Sequence, residues 1–235
     1  MNGESDMTIG GLMKLTLLDF PGKVACTVFT PGCNFRCPFC HNASLVRSGN
    51  GELSEDEFFN FLEKRHGILD GVCVSGGEPT MRDDITEFIS RIKSLGYAVK
   101  LDTNGSSVQK LRELTDAGLI DYVAMDIKNS PTKYAATCGG ADFLEKVRES
   151  VSFLMNSDID FEFRTTVVKE LHSDADFHEI GEWIANAPKY YLQTFKDSGD
   201  ILGEGMSASS DGDMKRYLSI VKRYIPTARL RGSDI

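Results

Sequence analysis

The chain has 235 residues, 41% of them hydrophobic and 26% charged, which suffices for a sizeable core and excludes a largely disordered polymer. Its net charge of −9 argues against a general attraction to nucleic acid or to an anionic membrane surface, so neither is an expected partner. No stretch approaches the roughly 20 apolar residues that span a bilayer. Met1-Asn2-Gly3-Glu4-Ser5-Asp6 carries neither the basic nor the apolar segment of an export signal, and the expected compartment is the cytoplasm.

Segments rich in β-branched and aromatic residues recur at Lys23–Thr30, Gly71–Ser75, Tyr97–Asp102, Tyr122–Ile127, Asp160–Val168 and Tyr190–Phe195, each the length of a buried strand. Amphipathic stretches lie between them. Ser54-Glu55-Asp56-Glu57 reads as a capping box opening a helix through about Lys64. Further helices are predicted over Asp83–Leu95, Ser106–Ala117, Asp142–Met155 and Asp176–Asn186, with apolar positions at helical spacing such as Ile85, Phe88, Ile89 and Ile92. Ser198–Ser210 reads as a mobile loop, and a last helix over Asp213–Tyr224 precedes Arg229-Leu230-Arg231. The whole is expected to form a single domain, with 1–14 an N-terminal extension and 198–235 a loop and C-terminal helix.

Alternating strands and helices imply a parallel sheet with right-handed crossovers, as an open doubly wound sheet or a complete or partial β/α barrel. Periodicity does not choose between them. In both, ligands gather at the carboxyl ends of the strands, and unusual residues fall there. Cys33 follows the first strand and Gly76-Gly77-Glu78 the second; Asp102-Thr103-Asn104 ends the third, Asp126 and Lys128 end the fourth, and Arg164 lies within the fifth.

Six cysteines in a reducing compartment are expected to be thiols, metal ligands or catalytic groups rather than disulfides. Cys33, Cys37 and Cys40 stand in the pattern C-x3-C-x2-C. Soft thiolates suit iron–sulfur clusters, and three of them leave one iron of a cubane open to a substrate. Structural zinc would need Cys40 and the adjacent His41 to reach one ion, and such sites usually draw on two separated ligand pairs. Cys37-Pro38-Phe39-Cys40-His41 also fits the haem-attachment pattern, which requires an exported context. A thioredoxin-type pair leaves Cys33 unexplained, and an electron-carrying ferredoxin normally supplies a fourth cysteine. Cys26, Cys73 and Cys138 show no second cluster spacing and read as small buried hydrophobes.

With Ser75-Gly76-Gly77-Glu78-Pro79, Asp102-Thr103-Asn104-Gly105 and Met125-Asp126-Ile127-Lys128 following the cysteines in order, the sequence resembles the radical S-adenosylmethionine (SAM) superfamily. Within it the likeness is to glycyl-radical-enzyme activases, in particular the activating proteins of anaerobic ribonucleoside-triphosphate reductase. Leu15-Thr16-Leu17-Leu18-Asp19-Phe20-Pro21-Gly22-Lys23, Phe29-Thr30-Pro31-Gly32 and Cys40-His41-Asn42 carry it. The resemblance implies a partial (β/α)6 barrel of parallel strands, with a [4Fe-4S] cluster on Cys33, Cys37 and Cys40 and SAM at the carboxyl ends of the strands. It places Phe39 near the adenine, Gly76 and Gly77 along the methionine moiety, and Glu78 at its ammonium group. Asp102, Asn104, Asp126, Lys128 and Arg164 would line the rest of the pocket, and in some relatives the aspartates matching Asp102 and Asp126 bind a monovalent cation. It further implies a glycyl radical enzyme as partner, with flavodoxin or ferredoxin as reductant. Pyruvate formate-lyase activases carry a histidine near the end of the last strand, which Tyr191-Leu192-Gln193-Thr194-Phe195-Lys196 lacks. Gln193 is a candidate there by position alone.

Each residue also has a plainer reading. Gly-Gly-Glu-Pro is commonly a turn, Asp102 and Asn104 could cap a helix near Ser106, and Asp126 with Lys128 could be a surface pair. His66, His172 and His178 lie in polar segments, are expected to be exposed and receive no role. Phe58, Phe59, Phe61 and Leu62 read as core.

Overall fold

The computed structural model describes residues 9–47, 53–140 and 142–232, so the opening Met1-Asn2-Gly3-Glu4-Ser5-Asp6 lies outside the described residues. Two compact units make up the chain, one of Met1–Asn34, Ser44–Thr103 and Gln109–Val123, the other of Phe35–Ala43, Asn104–Val108 and Ala124–Ile235. In each, the strand order follows the chain order.

The first unit contains β1 (Gly11–Thr16), β2 (Ala25–Thr30), β3 (Gly71–Gly76) and β4 (Ala98–Thr103), with most of α1 (Ala43–Arg47), α2 (Glu55–Glu63), α3 (Ile85–Ser94) and most of α4 (Val108–Asp116). β2, β3 and β4 are parallel, with Cys26 beside Val72 and Cys73 beside Lys100. The predicted capping box forms: Glu57 N donates to Ser54 Oγ at 3.3 Å and Ser54 N to Glu57 Oε2 at 3.0 Å. α2 and α3 turn Phe58, Phe59, Leu62, Ile85, Phe88, Ile89 and Ile92 inward, and the Phe58 and Phe88 rings stack with centroids 5.4 Å apart.

β1 is a strand the periodicity did not reveal, and it pairs antiparallel to β2, with Gly11 opposite Phe29. Part of the expected N-terminal extension is therefore sheet. With only one strand partner here, β1 leaves Met13, Lys14 and Leu15 all exposed, which erases the alternation that marks a half-buried strand.

β5 (Tyr122–Asp126) starts in the first unit and ends in the second, which holds α5 (Tyr134–Thr137), α6 (Leu144–Met155), β6 (Asp160–Val167), α7 (Asp174–Trp183), β7 (Tyr190–Thr194), α8 (Asp211–Val221) and β8 (Arg229–Arg231). β6, β7 and β8 are parallel. Their core centres on Phe163, Phe177 and Tyr190, whose hydroxyl donates to Thr165 Oγ1 at 2.8 Å. β8 has only three residues, too few for a periodic signal; Arg231 anchors it with a bidentate pair to the fully buried Glu162 at 2.6 and 2.8 Å. Among the described residues no helix is long and apolar enough to cross a membrane.

Candidate cofactor site

In the first unit, β3 ends at Gly76 with φ of +117°, and Gly77 and Glu78 turn back toward the segment entering the cysteine loop. Gly77 N donates to Thr30 O and Glu78 N to Gly32 O, both at 2.8 Å. A Cβ on Gly76 would stand 2.4 Å from the Thr30 backbone, and one on Gly77 1.9 Å from Gly32 O. Two glycines are thus required by the close approach of the chain that leads into Cys33. Glu78 is buried, and its Oε1 accepts from Thr103 Oγ1 at 2.7 Å, from Thr80 N at 3.1 Å and from the Thr80 hydroxyl.

Asp102, at the end of β4, accepts from Ser75 Oγ at 3.1 Å and pairs with Lys100 two residues earlier. Lys100 is 0% exposed, and its Nζ lies 3.7 Å from Cys73 Sγ. Nothing in the sequence reading singled out this lysine. Lysine two residues from aspartate on a strand shares its face, and that spacing was the available signal.

The second unit carries the remaining candidates. Asp126, ending β5, accepts from Arg164 Nε of β6 at 2.8 Å through Oδ1 and from Lys128 Nζ at 2.9 Å through Oδ2. Burial alone would push its carboxyl up; the guanidinium and ammonium overturn that and hold it well below the ordinary range. Lys128 is likewise opposed by burial, but Asp126 raises it above an ordinary lysine. One carboxylate facing two cations leaves a net positive charge, so the plainer reading of Asp126 and Lys128 as a surface pair does not describe them.

That charge acts on the cysteine loop. A hydrogen bond from the Cys138 thiol lowers Cys37 against the opposing effect of burial, and Lys128 lowers it further. Cys40, whose N–H donates to Cys37 O at 3.0 Å, is instead raised by burial. Cys138 therefore does more than fill space: its carbonyl accepts from Arg36 N at 2.9 Å and its thiol from the same turn reaches Cys37. Cys26 and Cys73 remain small buried groups, and burial pushes the Cys26 thiol up to about 12. Phe39 is buried, and Asn104 Oδ1 accepts from Ser106 N at 2.9 Å.

Two expectations fail here. His172 is buried, with Nε2 3.1 Å from Lys128 O and Nδ1 3.1 Å from Val168 N, so it fixes the backbone beneath Lys128. Its polar sequence neighbours hid a position stacked on Phe177. The segment read as a mobile loop clasps the cysteine loop instead. Ser198 Oγ donates to His41 O at 3.0 Å, Ala43 N to Asp200 O at 3.2 Å, and Gly203 N to Pro38 O at 2.8 Å. Its far end is held by Glu170, which accepts from Ser207 N at 2.8 Å.

All six cysteines are free thiols. Among the described residues no three His, Cys, Asp or Glu side chains gather closely enough to hold one metal ion. In the second unit, Cys37 and Cys40 are soft thiol donors under the influence of the Lys128 ammonium, a donor chemistry that suits an anionic iron–sulfur cluster.

Residues 27–184 match the sequence profile of the radical SAM superfamily, and the chain belongs to that superfamily. Its sheet, mostly parallel, is consistent with the family's partial β/α barrel. The chain is 30% identical over 95% of both lengths to a Methanocaldococcus jannaschii protein named "Putative glycyl-radical enzyme activating enzyme". A second protein of that name and organism is 26% identical over 75% of this chain and 68% of its own. Among solved structures, a domain of pyruvate-formate lyase-activating enzyme from Bacteroides vulgatus superposes with a TM-score of 0.54 at 17% identity, covering 69% of this chain and 99% of that one. Streptococcus suis SuiB bound to S-adenosylmethionine gives 0.68 at 14% identity, covering 86% of this chain and 48% of that one.

Proposed function

We propose that this chain is a radical SAM activase that installs a glycyl radical on a partner enzyme, and that the partner is anaerobic ribonucleoside-triphosphate reductase. The observation that carries the first part is a cysteine loop in which a hydrogen bond from Cys138 and the nearby Lys128 hold Cys37 toward its thiolate form. The near-full-length match to a protein named as an activating enzyme supports it. The choice of partner rests on the motif resemblance of Leu15–Lys23 and on the absence of histidine from Tyr191–Lys196.

Cys33, Cys37 and Cys40 would hold a [4Fe-4S] cluster, which when bound supplies one electron for cleavage of SAM. Lys128 and Arg164 present positive charge to the SAM carboxylate or ribose oxygens. Glu78, fixed by Thr80 and Thr103, offers a carboxylate to its ammonium group. Gly76 and Gly77 would let backbone pass close by, while Phe39, which is buried, would lie near the adenine and Asn104 would line the rest of the pocket. Asp102, paired with Lys100 in the first unit, and Asp126, paired with Lys128 and Arg164 in the second, would each present a carboxylate to the cofactor. The electron comes from flavodoxin or ferredoxin in the cytoplasm.

The test is anaerobic reconstitution with iron and sulfide, then dithionite and SAM, with chromatography for 5′-deoxyadenosine and electron paramagnetic resonance of added reductase. Product plus a glycyl signal is expected. A glycyl signal on pyruvate formate-lyase alone moves the partner, and a brown protein that makes no 5′-deoxyadenosine overturns the activity.

A further inference from the structure

Lys100 is a fully buried charge that no step above uses. Its strand neighbours Val99 and Leu101 are apolar, and burying an ammonium is costly unless a partner compensates it. Replacing such a pair by apolar residues is often neutral for stability, so a fold alone gives little reason for it. The compensation comes from Asp102, which shares its face of β4 and which Ser75 Oγ of β3 holds from the neighbouring strand. The Asp102 side chain is 16% exposed where Lys100 is 0%, so the pair has a sealed inner end and an outer end at the carboxyl edge of the strand.

A carboxylate at that edge needs a counter-charge, from a bound ion or from the protein. We propose that Lys100 is the built-in counter-cation of Asp102, standing where a monovalent metal ion would otherwise bind, so that this site works without sodium or potassium. The ammonium donates hydrogen bonds as well as charge and fixes which oxygen of Asp102 faces outward, which makes Lys100 a positioning residue. The inference rests on the reading of Asp102 as a cofactor residue only for its effect on SAM; the ion-pair claim stands apart from it.

Two measurements test it. Sodium NMR line broadening needs no cofactor: none is expected for the wild type, whereas Lys100→Met should broaden the signal and Lys100→Met with Asp102→Asn should abolish the effect. Broadening by the wild type that Asp102→Asn removes, or a folded Lys100→Met variant that binds no ion, overturns the proposal. SAM affinity of the reconstituted protein, by equilibrium dialysis, should change less than about twofold when potassium is replaced by tetramethylammonium. In Lys100→Met it should fall at least about tenfold in tetramethylammonium and recover in potassium or ammonium salts. A wild type that needs potassium to bind SAM overturns the proposal even if the variant does not fold. Should the protein bind no SAM in any salt while the sodium result holds, the proposed function fails and the role of Lys100 does not.

Discussion

The two units handle an aspartate at a strand end in opposite ways. Asp102 has its lysine behind it, sealed at 0% exposure, and the pair is neutral. Asp126 has its lysine ahead of it, with Arg164 added from β6, and the centre is positive. Around the neutral pair the first unit is shaped by backbone, with two glycines pressed on Thr30 and Gly32. Around the positive centre the second unit sets thiols whose ionisation that charge favours. Similar residues at similar strand positions thus make a neutral pair in one place and a net positive centre in the other, and the guanidinium that β6 adds decides which.

The largest effect should come from the thiols beside the positive centre. Cys37→Ser is expected to abolish iron loading and 5′-deoxyadenosine formation, read by iron analysis after anaerobic reconstitution; retention of a full cluster would break the comparison. Next is Asp126→Asn, which leaves Lys128 and Arg164 repelling each other. It should cost about 2 kcal/mol, less than for a fully buried pair because the carboxylate keeps some water. Chemical denaturation checks this, and pH supplies the sign. Because the folded carboxyl titrates below its unfolded value of about 3.9, its contribution is present above that pH and lost as pH falls further. The variant should therefore show a shallower loss of stability in acid, and an unchanged acid limb would mean that the ion triad is not what depresses Asp126.

In the first unit, Gly77→Ala should lower cluster loading several-fold while far-ultraviolet circular dichroism stays native, because its Cβ strikes the carbonyl just before Cys33. Full loading would show that the turn can relax. The smallest effect concerns the cluster-free protein. Iodoacetamide labelling mapped by mass spectrometry should give Cys37 a midpoint below an ordinary thiol's, about pH 8.5, and Cys40 one above it. Cys138→Ala should move Cys37 upward, since burial then acts against less opposition; the reverse order of midpoints would remove Cys138 from the centre.

The parts legible in sequence were those with regular burial or dense motifs. The six buried strands, the Ser54 capping box and the inward face of α3 follow from periodicity, and the cysteine spacing with Gly76-Gly77-Glu78 drew attention to the loops that follow β2 and β3. β1 escaped because its exposed edge has no alternation, and β8 because three residues cannot show one. Lys100, His172 and Cys138 escaped for a shared reason. Each is polar or reactive, each is buried, and each is explained by a partner distant in sequence or on a strand face that composition does not reveal. The glycines were read as room for a ligand; the structure adds a demand from the chain itself.

The clasp on the cysteine loop ties residues 157 positions apart, His41 and Ser198, alongside the Ala43 to Asp200 and Pro38 to Gly203 bonds. A ribosome releases the cysteines long before it has made Ser198–Gly203, so a nascent chain presents those thiols on a loop that still lacks its clasp. The loop reaches its final set of hydrogen bonds only after translation has passed Gly203.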